Sequence, residues 1–272
     1  MLKVLKPRRI KGVVFDLDGT LVRGPAALPG AVEAVARLRA DGLRIAFCTQ
    51  DSVNSPEHVA DKLKKLGFGA TPEETFCAGW FAGEHLAATY PDTPMFAICS
   101  PDLRRTLTEA GVDLVSPSEA KRARIVFVAR DPGLAAEEVS AACAAIWNGA
   151  TFYAFGRDPV IPVAGRNAPG AGAVVVAIEY ATRTEARILG KPSKPLALAT
   201  LKRLGAEPHE AIVVGDSLIS DIPLGRGIGA GGVLVLTGGS TAEQAARAEG
   251  LSRPDAVLDS VVALPDWIAG AQ

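Results

Sequence analysis

Apolar residues come in short runs along the chain, and helical patterns fill the gaps between them. The run 10–15 is rich in β-formers and ends in a loop. In 31–40, Val32, Val35 and Leu38 share one helical face, with Pro29 before the segment and Gly42 after it. Those are helix start and stop signals. The run 43–48 predicts a strand and 56–66 a helix closed by Gly67; strand 75–77 and helix 79–90 repeat the unit. Further strands are predicted at 95–99, 125–129, 152–155, 211–214 and 232–236, with helices at 134–147, 170–182 and 195–204. Such alternation belongs to parallel sheets covered by helices. Near-continuous apolar strands such as Ile212-Val213-Val214 agree, because they are buried on both faces. The predicted fold class is α/β, a Rossmann-like parallel-sheet core. No repeat appears at a fixed period.

Two breaks predict joints, the Pro-rich 91–94 and the charged 183–187. The middle segment, 91–186, is then an inserted α/β domain, and 1–90 with 187–272 builds one sheet. A length of 272 residues suits about two domains. With 29 basic and 30 acidic residues the net charge is −1. That lacks the basic excess a nucleic-acid partner requires. Mean hydropathy is +0.21, yet the most apolar stretches, 171–178 and 228–236, fall far short of the roughly 20 residues of a membrane span. The basic residues Lys3, Lys6, Arg8, Arg9 and Lys11 precede only four apolar positions, 12–15. A secretory signal needs about 7–15. A cytoplasmic protein is expected. Cys48, Cys77, Cys99 and Cys143 are scattered with no CxxC pair, and the three histidines sit at no ligand spacing. Buried thiols, neither bridged nor zinc-bound, are the expectation.

Four stretches carry candidate chemistry. Val13-Val14-Phe15-Asp16-Leu17-Asp18-Gly19-Thr20 ends an apolar strand in two carboxylates. Ligands of open α/β sheets bind at the carboxyl ends of strands. Paired carboxylates repel unless a cation or shared proton intervenes, and a hard cation such as Mg²⁺ fits. Aspartates capping a local turn are the structural alternative. Ile212-Val213-Val214-Gly215-Asp216-Ser217, with Asp221 beyond, repeats the theme; Asp221 alone is equally a helix cap. Thr49-Gln50-Asp51-Ser52 follows a strand and offers hydroxyls and amides to a phosphate, or forms an ordinary polar loop. Gly190-Lys191-Pro192 is not a P-loop, and Gly170-Ala171-Gly172 lacks the third glycine of a dinucleotide fingerprint.

In this order and spacing the four stretches resemble the motifs of the haloacid dehalogenase superfamily of phosphohydrolases. About 140 residues separate Thr49 from Lys191, which resembles the subgroup with a large α/β cap, the 4-nitrophenyl, phosphoglycolate and pyridoxal phosphate phosphatase-like proteins. Arg23-Gly24, Pro29-Gly30-Ala31, Pro169-Gly170-Ala171-Gly172 and Leu236-Thr237-Gly238 are further matches. The resemblance implies Mg²⁺-dependent hydrolysis of a small phosphorylated metabolite. Asp16 would be the nucleophile and Asp18 the acid and base. Thr49, with Gln50 and Gly19, would bind phosphate, and Lys191 would offset charge. Asp16, the Asp18 carbonyl and Asp216 would hold the metal, and Asp221 would orient Lys191 or a metal-bound water. Arg23, Arg157, Arg166, Asn167 and Arg130 are candidates for reading the leaving group, or are solvated loop residues. Similar proteins commonly form cap-mediated dimers, so a homodimer is among the assemblies implied.

This chain departs from the subgroup in two places. Thr49-Gln50-Asp51-Ser52 stands where Thr-Asn-Asn-Ser is usual, which puts the Asp51 carboxylate near the expected phosphate. Phe155-Gly156-Arg157-Asp158 stands for Thr-Asn-x-Asp. A phosphotransferase of the same chemistry and a catalytically weak binding or regulatory protein of this fold stay open as alternatives.

Overall fold

The structure, a computed structural model, describes residues 10–158, 160–163 and 166–271. The side chains of 161–167 and of 271 lie outside that description, as do the basic residues before Ile10. In chain order the elements are β1 (Gly12–Phe15), β2 (Val22–Arg23), β3 (Ala26–Ala27), α1 (Ala31–Ala40), β4 (Arg44–Thr49), α2 (Pro56–Lys65), β5 (Thr75–Cys77) and α3 (Ala78–Thr89). There follow β6 (Met95–Ile98), α4 (Pro101–Glu109), β7 (Ile125–Val128), α5 (Ala136–Trp147), β8 (Thr151–Ala154), β9 (Val160–Val163), β10 (Arg166–Pro169), α6 (Ala171–Thr182) and β11 (Arg187–Ile188). The chain closes with α7 (Lys194–Leu204), β12 (Ala211–Gly215), α8 (Asp221–Arg226), β13 (Gly231–Val235), α9 (Ala242–Arg247), β14 (Ala256–Leu258) and α10 (Leu264–Ala271).

Two compact units emerge. The first joins the chain up to Thr49 with Pro56–Phe76 and everything from Lys191 onward; the second is Gln50–Ser55 with Cys77–Gly190. The stretches 91–94 and 183–187, expected as joints, both fall inside the second unit. The physical reason is pairing and packing. A Cβ on Gly83 of α3 would come within 2.8 Å of Leu107 on α4, so α3 lies tight against the second unit's own helix. β11, just past the charged stretch, pairs with β8.

The first unit is built on a sheet of order β14-β13-β12-β1-β4-β5. Its inner strands pair in parallel. Val13, Phe15, Phe47, Ile212, Val214 and Leu234 are fully buried in it, as expected for strands covered on both faces. Helix boundaries follow the sequence signals. α1 buries Ala31, Ala34, Val35 and Leu38, while Val32 is only half-buried. Gly42 ends the segment at φ +82°. The Ser193 hydroxyl caps α7 by accepting from the Leu196 N–H, and Gly205 closes that helix in the left-handed region. The second unit has its own parallel sheet, β11-β8-β7-β6. Phe96, Val126, Phe152, Ile146 and Ile178 form its core. All four cysteines are buried and none is in a disulfide. Among the described residues no helix is long and apolar enough to cross a membrane.

Candidate active site

β1 lies between β12 and β4, with Phe15 opposite both Val214 and Phe47. Asp16 follows β1 directly, Thr49 closes β4, and Gly215 closes β12 with Asp216 next. Three distant segments thus deliver polar side chains to one carboxyl edge of the sheet, the edge where open α/β sheets bind ligands. A tight turn follows Asp16. The N–H groups of Thr20, Leu21 and Val22 all donate to the Leu17 carbonyl, and Gly19 reaches φ +87° inside it.

Lys191, joined to Pro192 by a cis peptide bond, brings the cation. Its Nζ donates to Asp16 Oδ1 at 2.6 Å and to Asp221 Oδ1 at 2.9 Å. The Thr20 hydroxyl donates to Asp16 Oδ2 at 3.0 Å, and the Ser217 N–H donates to Asp221 Oδ2 at 3.1 Å. The Lys191 side chain is 1% exposed and that of Asp221 2%. Gly215 is required here, since a Cβ at that position would run into the Asp221 carboxylate.

The electrostatics follow from this crowding. Burial alone would pull the Lys191 ammonium down, but Asp16 and Asp221 outweigh it and hold the group well above its ordinary value. Burial pushes Asp221 up to about 7; Lys191 opposes, while Asp16 and Asp216 add to the rise. Asp216 is also raised, by burial first and Asp16 second, against the Gly239 N–H that bonds it. One oxygen from each of Asp16, Asp216 and Asp221 lies within 4.8 Å of the others. Three carboxylates around one ammonium leave surplus negative charge, and an all-oxygen donor set of that size suits a hard divalent cation. Cys48 sits beside the cluster, its thiol pushed up to about 11 by burial against the pull of Lys191.

The structure therefore brings Asp16, Lys191, Asp216 and Asp221 together, with Thr49 buried at the end of the neighbouring strand. Asp18 is exposed in the turn beside them. Gly19 uses its N–H on the Val22 carbonyl. Arg23 donates to the Thr237 carbonyl at 2.6 Å. In the second unit the Gln50 amide donates to Asp158 at 3.0 Å. Asp51 turns into its own loop, accepting from the Val53 and Asn54 N–H groups and the Asn54 side chain. Arg157 pairs with Glu179, and the Arg130 N–H donates to the Ser52 hydroxyl. The side chains of Arg166 and Asn167 lie outside the described residues. Sequence reasoning missed Thr20, whose signal was its place four residues after Asp16, and Cys48 and Gly239, for which there was none.

Residues 13–113 match the haloacid dehalogenase-like hydrolase family, and residues 188–264 match a second family of that kind. The chain is 30% identical over 258 residues to the 5'-nucleotidase YutF of Bacillus subtilis, covering 95% of this chain and 97% of that protein. It is 28% identical to an acid sugar phosphatase of Staphylococcus aureus over 87% of this chain and 90% of that one. A glycerol phosphate phosphatase of Mycobacterium tuberculosis, solved with magnesium, superposes with a TM-score of 0.86 at 29% identity, over 95% of this chain and 77% of that one. The chain belongs to the haloacid dehalogenase-like hydrolases. Within them it groups with the phosphatases of the 4-nitrophenylphosphatase-like type.

Proposed function

We propose that this enzyme hydrolyses a small-molecule phosphomonoester in two steps through an aspartyl-phosphate on Asp16. In the first step an Asp16 carboxylate oxygen attacks phosphorus, the P–O bond to the leaving group breaks, and Asp18 gives that oxygen its proton. In the second, Asp18 takes a proton from water, which attacks the same phosphorus and returns Asp16 as a free carboxylate. Lys191 orients Asp16 throughout, and offsets charge as it spreads over the phosphoryl oxygens. Thr49 would donate its hydroxyl to one of those oxygens. Asp16 and Asp216, with the Asp18 carbonyl, are the proposed holders of Mg²⁺, and Asp221 orients Lys191. When bound, the ion would supply further positive charge to the phosphoryl oxygens. The inserted unit is assigned the choice of substrate, and a cytoplasmic metabolite is the substrate class proposed.

The observation that carries this reading is the buried Asp16–Lys191–Asp221 cluster with Asp216 converging on it. A nucleophile needs its oxygen aimed, and the hydrogen bonds from Lys191 and Thr20 fix both Asp16 oxygens. The decisive experiment is rapid quenching during turnover of 4-nitrophenyl phosphate with Mg²⁺, followed by mass spectrometry of the peptide containing Asp16. A phosphorylated peptide in the native enzyme, absent from Asp16→Asn and from chelated enzyme, is the expected result. Undiminished phosphate release by Asp16→Asn would sink the mechanism.

A further inference from the structure

The Asp216 carboxylate is held from the loop that follows β13. The Gly239 N–H donates to Asp216 Oδ2 at 2.5 Å, and the Ser240 N–H donates to the Asp216 carbonyl at 3.1 Å. The Ser240 hydroxyl in turn accepts from the Leu218 N–H at 3.1 Å. This loop is itself anchored at Thr237. Its hydroxyl donates to the Gly19 carbonyl at 2.6 Å, and its carbonyl accepts from Arg23 at 2.6 Å. Thr237 thus joins the turn after β1 to the loop that grips Asp216, across 218 positions of sequence.

Sterics make the coupling tight. A Cβ on Gly238 would overlap the Asp216 carboxylate. One on Gly19 would strike the same carboxylate and come within 3.1 Å of the Gly238 Cα. The carboxylate lies between two bare glycine backbones, so a shift of either loop moves it or strips its hydrogen bond. A threonine hydroxyl is the only side-chain donor that Thr237 contributes to this lock, and valine would keep its shape without the donor.

We infer that Thr237 is a positioning residue: its hydroxyl locks the 237–240 loop to the Gly19 turn and so fixes the Asp216 carboxylate for a divalent cation. The inference rests on Asp216 as a metal ligand. Partners that orient a metal-binding carboxylate without touching the metal typically govern affinity by about 10- to 100-fold.

The test is calorimetric titration of Mg²⁺ into chelator-stripped wild type, Thr237→Val, Thr237→Ser, Arg23→Ala and Asp216→Asn, with thermal melts of each. Thr237→Val is expected to bind Mg²⁺ on the order of tenfold more weakly, and Thr237→Ser to stay close to wild type. Arg23→Ala frees the same loop from an exposed position and is expected to weaken binding in the same direction, which keeps the test decisive should Thr237→Val fold poorly. Wild-type affinity in both Thr237→Val and Arg23→Ala overturns the inference. So does a Thr237→Ser variant as weak as Thr237→Val, since the hydroxyl would then not be what matters. Asp216→Asn binding as tightly as wild type would strike at Asp216 itself and take the inference with it. That outcome is distinct from a Thr237→Val that binds normally at a site needing Asp216.

Discussion

Replacing Lys191 by Met removes a cation from among three converging carboxylates. The ammonium is fully buried and bonds both Asp16 and Asp221. Removing one partner of a buried ion pair costs roughly 3–5 kcal/mol, because the other charge is left uncompensated. For a chain of this size that lowers the melting temperature by roughly 6–20 °C. The loss should depend on pH. Asp221 sits at about 7 when folded against its ordinary 3.8, so between those values the folded state binds more protons and stability falls as pH rises. The Lys191 contribution has the same sign but lies at much higher pH. Its folded value lies well above 10.5, so its stabilisation is fully present below that pH and is lost only as pH rises through the folded value. At pH 5 the variant protonates its surplus carboxyls at little cost; at pH 8 it must either hold them charged and unpaired or take up protons against the pH. Urea melts should therefore give a larger loss at pH 8 than at pH 5, and turnover of 4-nitrophenyl phosphate should fall at least about 100-fold. Equal losses at both pH values, or turnover within about tenfold of wild type, would refute the charge-compensation argument.

Other outcomes follow from single contacts. Gly215→Ala forces the Asp221 carboxylate aside, and a misplacement of about 1 Å costs on the order of 100-fold in kcat; steady-state kinetics checks it, and an unchanged kcat contradicts the packing. Asp51→Asn should leave kcat/KM within about threefold, because the carboxylate serves its own loop; a KM improved by more than about tenfold would show instead that it repels the substrate. With Cys48 pushed up to about 11 and Cys99 to about 12, both by burial, Cys48 carries roughly a thousandth of its thiolate form at pH 8 and Cys99 less. Native protein should resist thiol reagents that label all four cysteines in guanidinium, and fast native labelling would count against the burial.

The chain itself determined the strand–helix alternation, because a strand buried on both faces must be apolar throughout and a helix must show its stripe. It also marked three carboxylates that the fold brings together, whereas Lys191 carried no local signal and was singled out only by the resemblance. Asp16, Asp216 and Asp221 follow apolar strands at short spacings, and such local signals survive without knowledge of contacts. The joints were not legible. Pro91 and Arg183 look like linkers, but whether a break separates units depends on what the flanking elements pack against, and α3 and β11 find their partners inside the second unit. Asp51 looked like a charge aimed at the ligand, yet its direction is set by loop torsions that bring two N–H groups to it. Asp221 could be read as a helix cap, and its bond to Lys191, 30 positions away, exists only in the folded chain. The grip of Thr237 on the Gly19 turn likewise exists only in the folded sheet. A sequence records which groups are present and how they are spaced locally; strand order β12-β1-β4 decides which of them meet, and hydrogen bonds and charge pairs act only over the few ångströms that meeting provides.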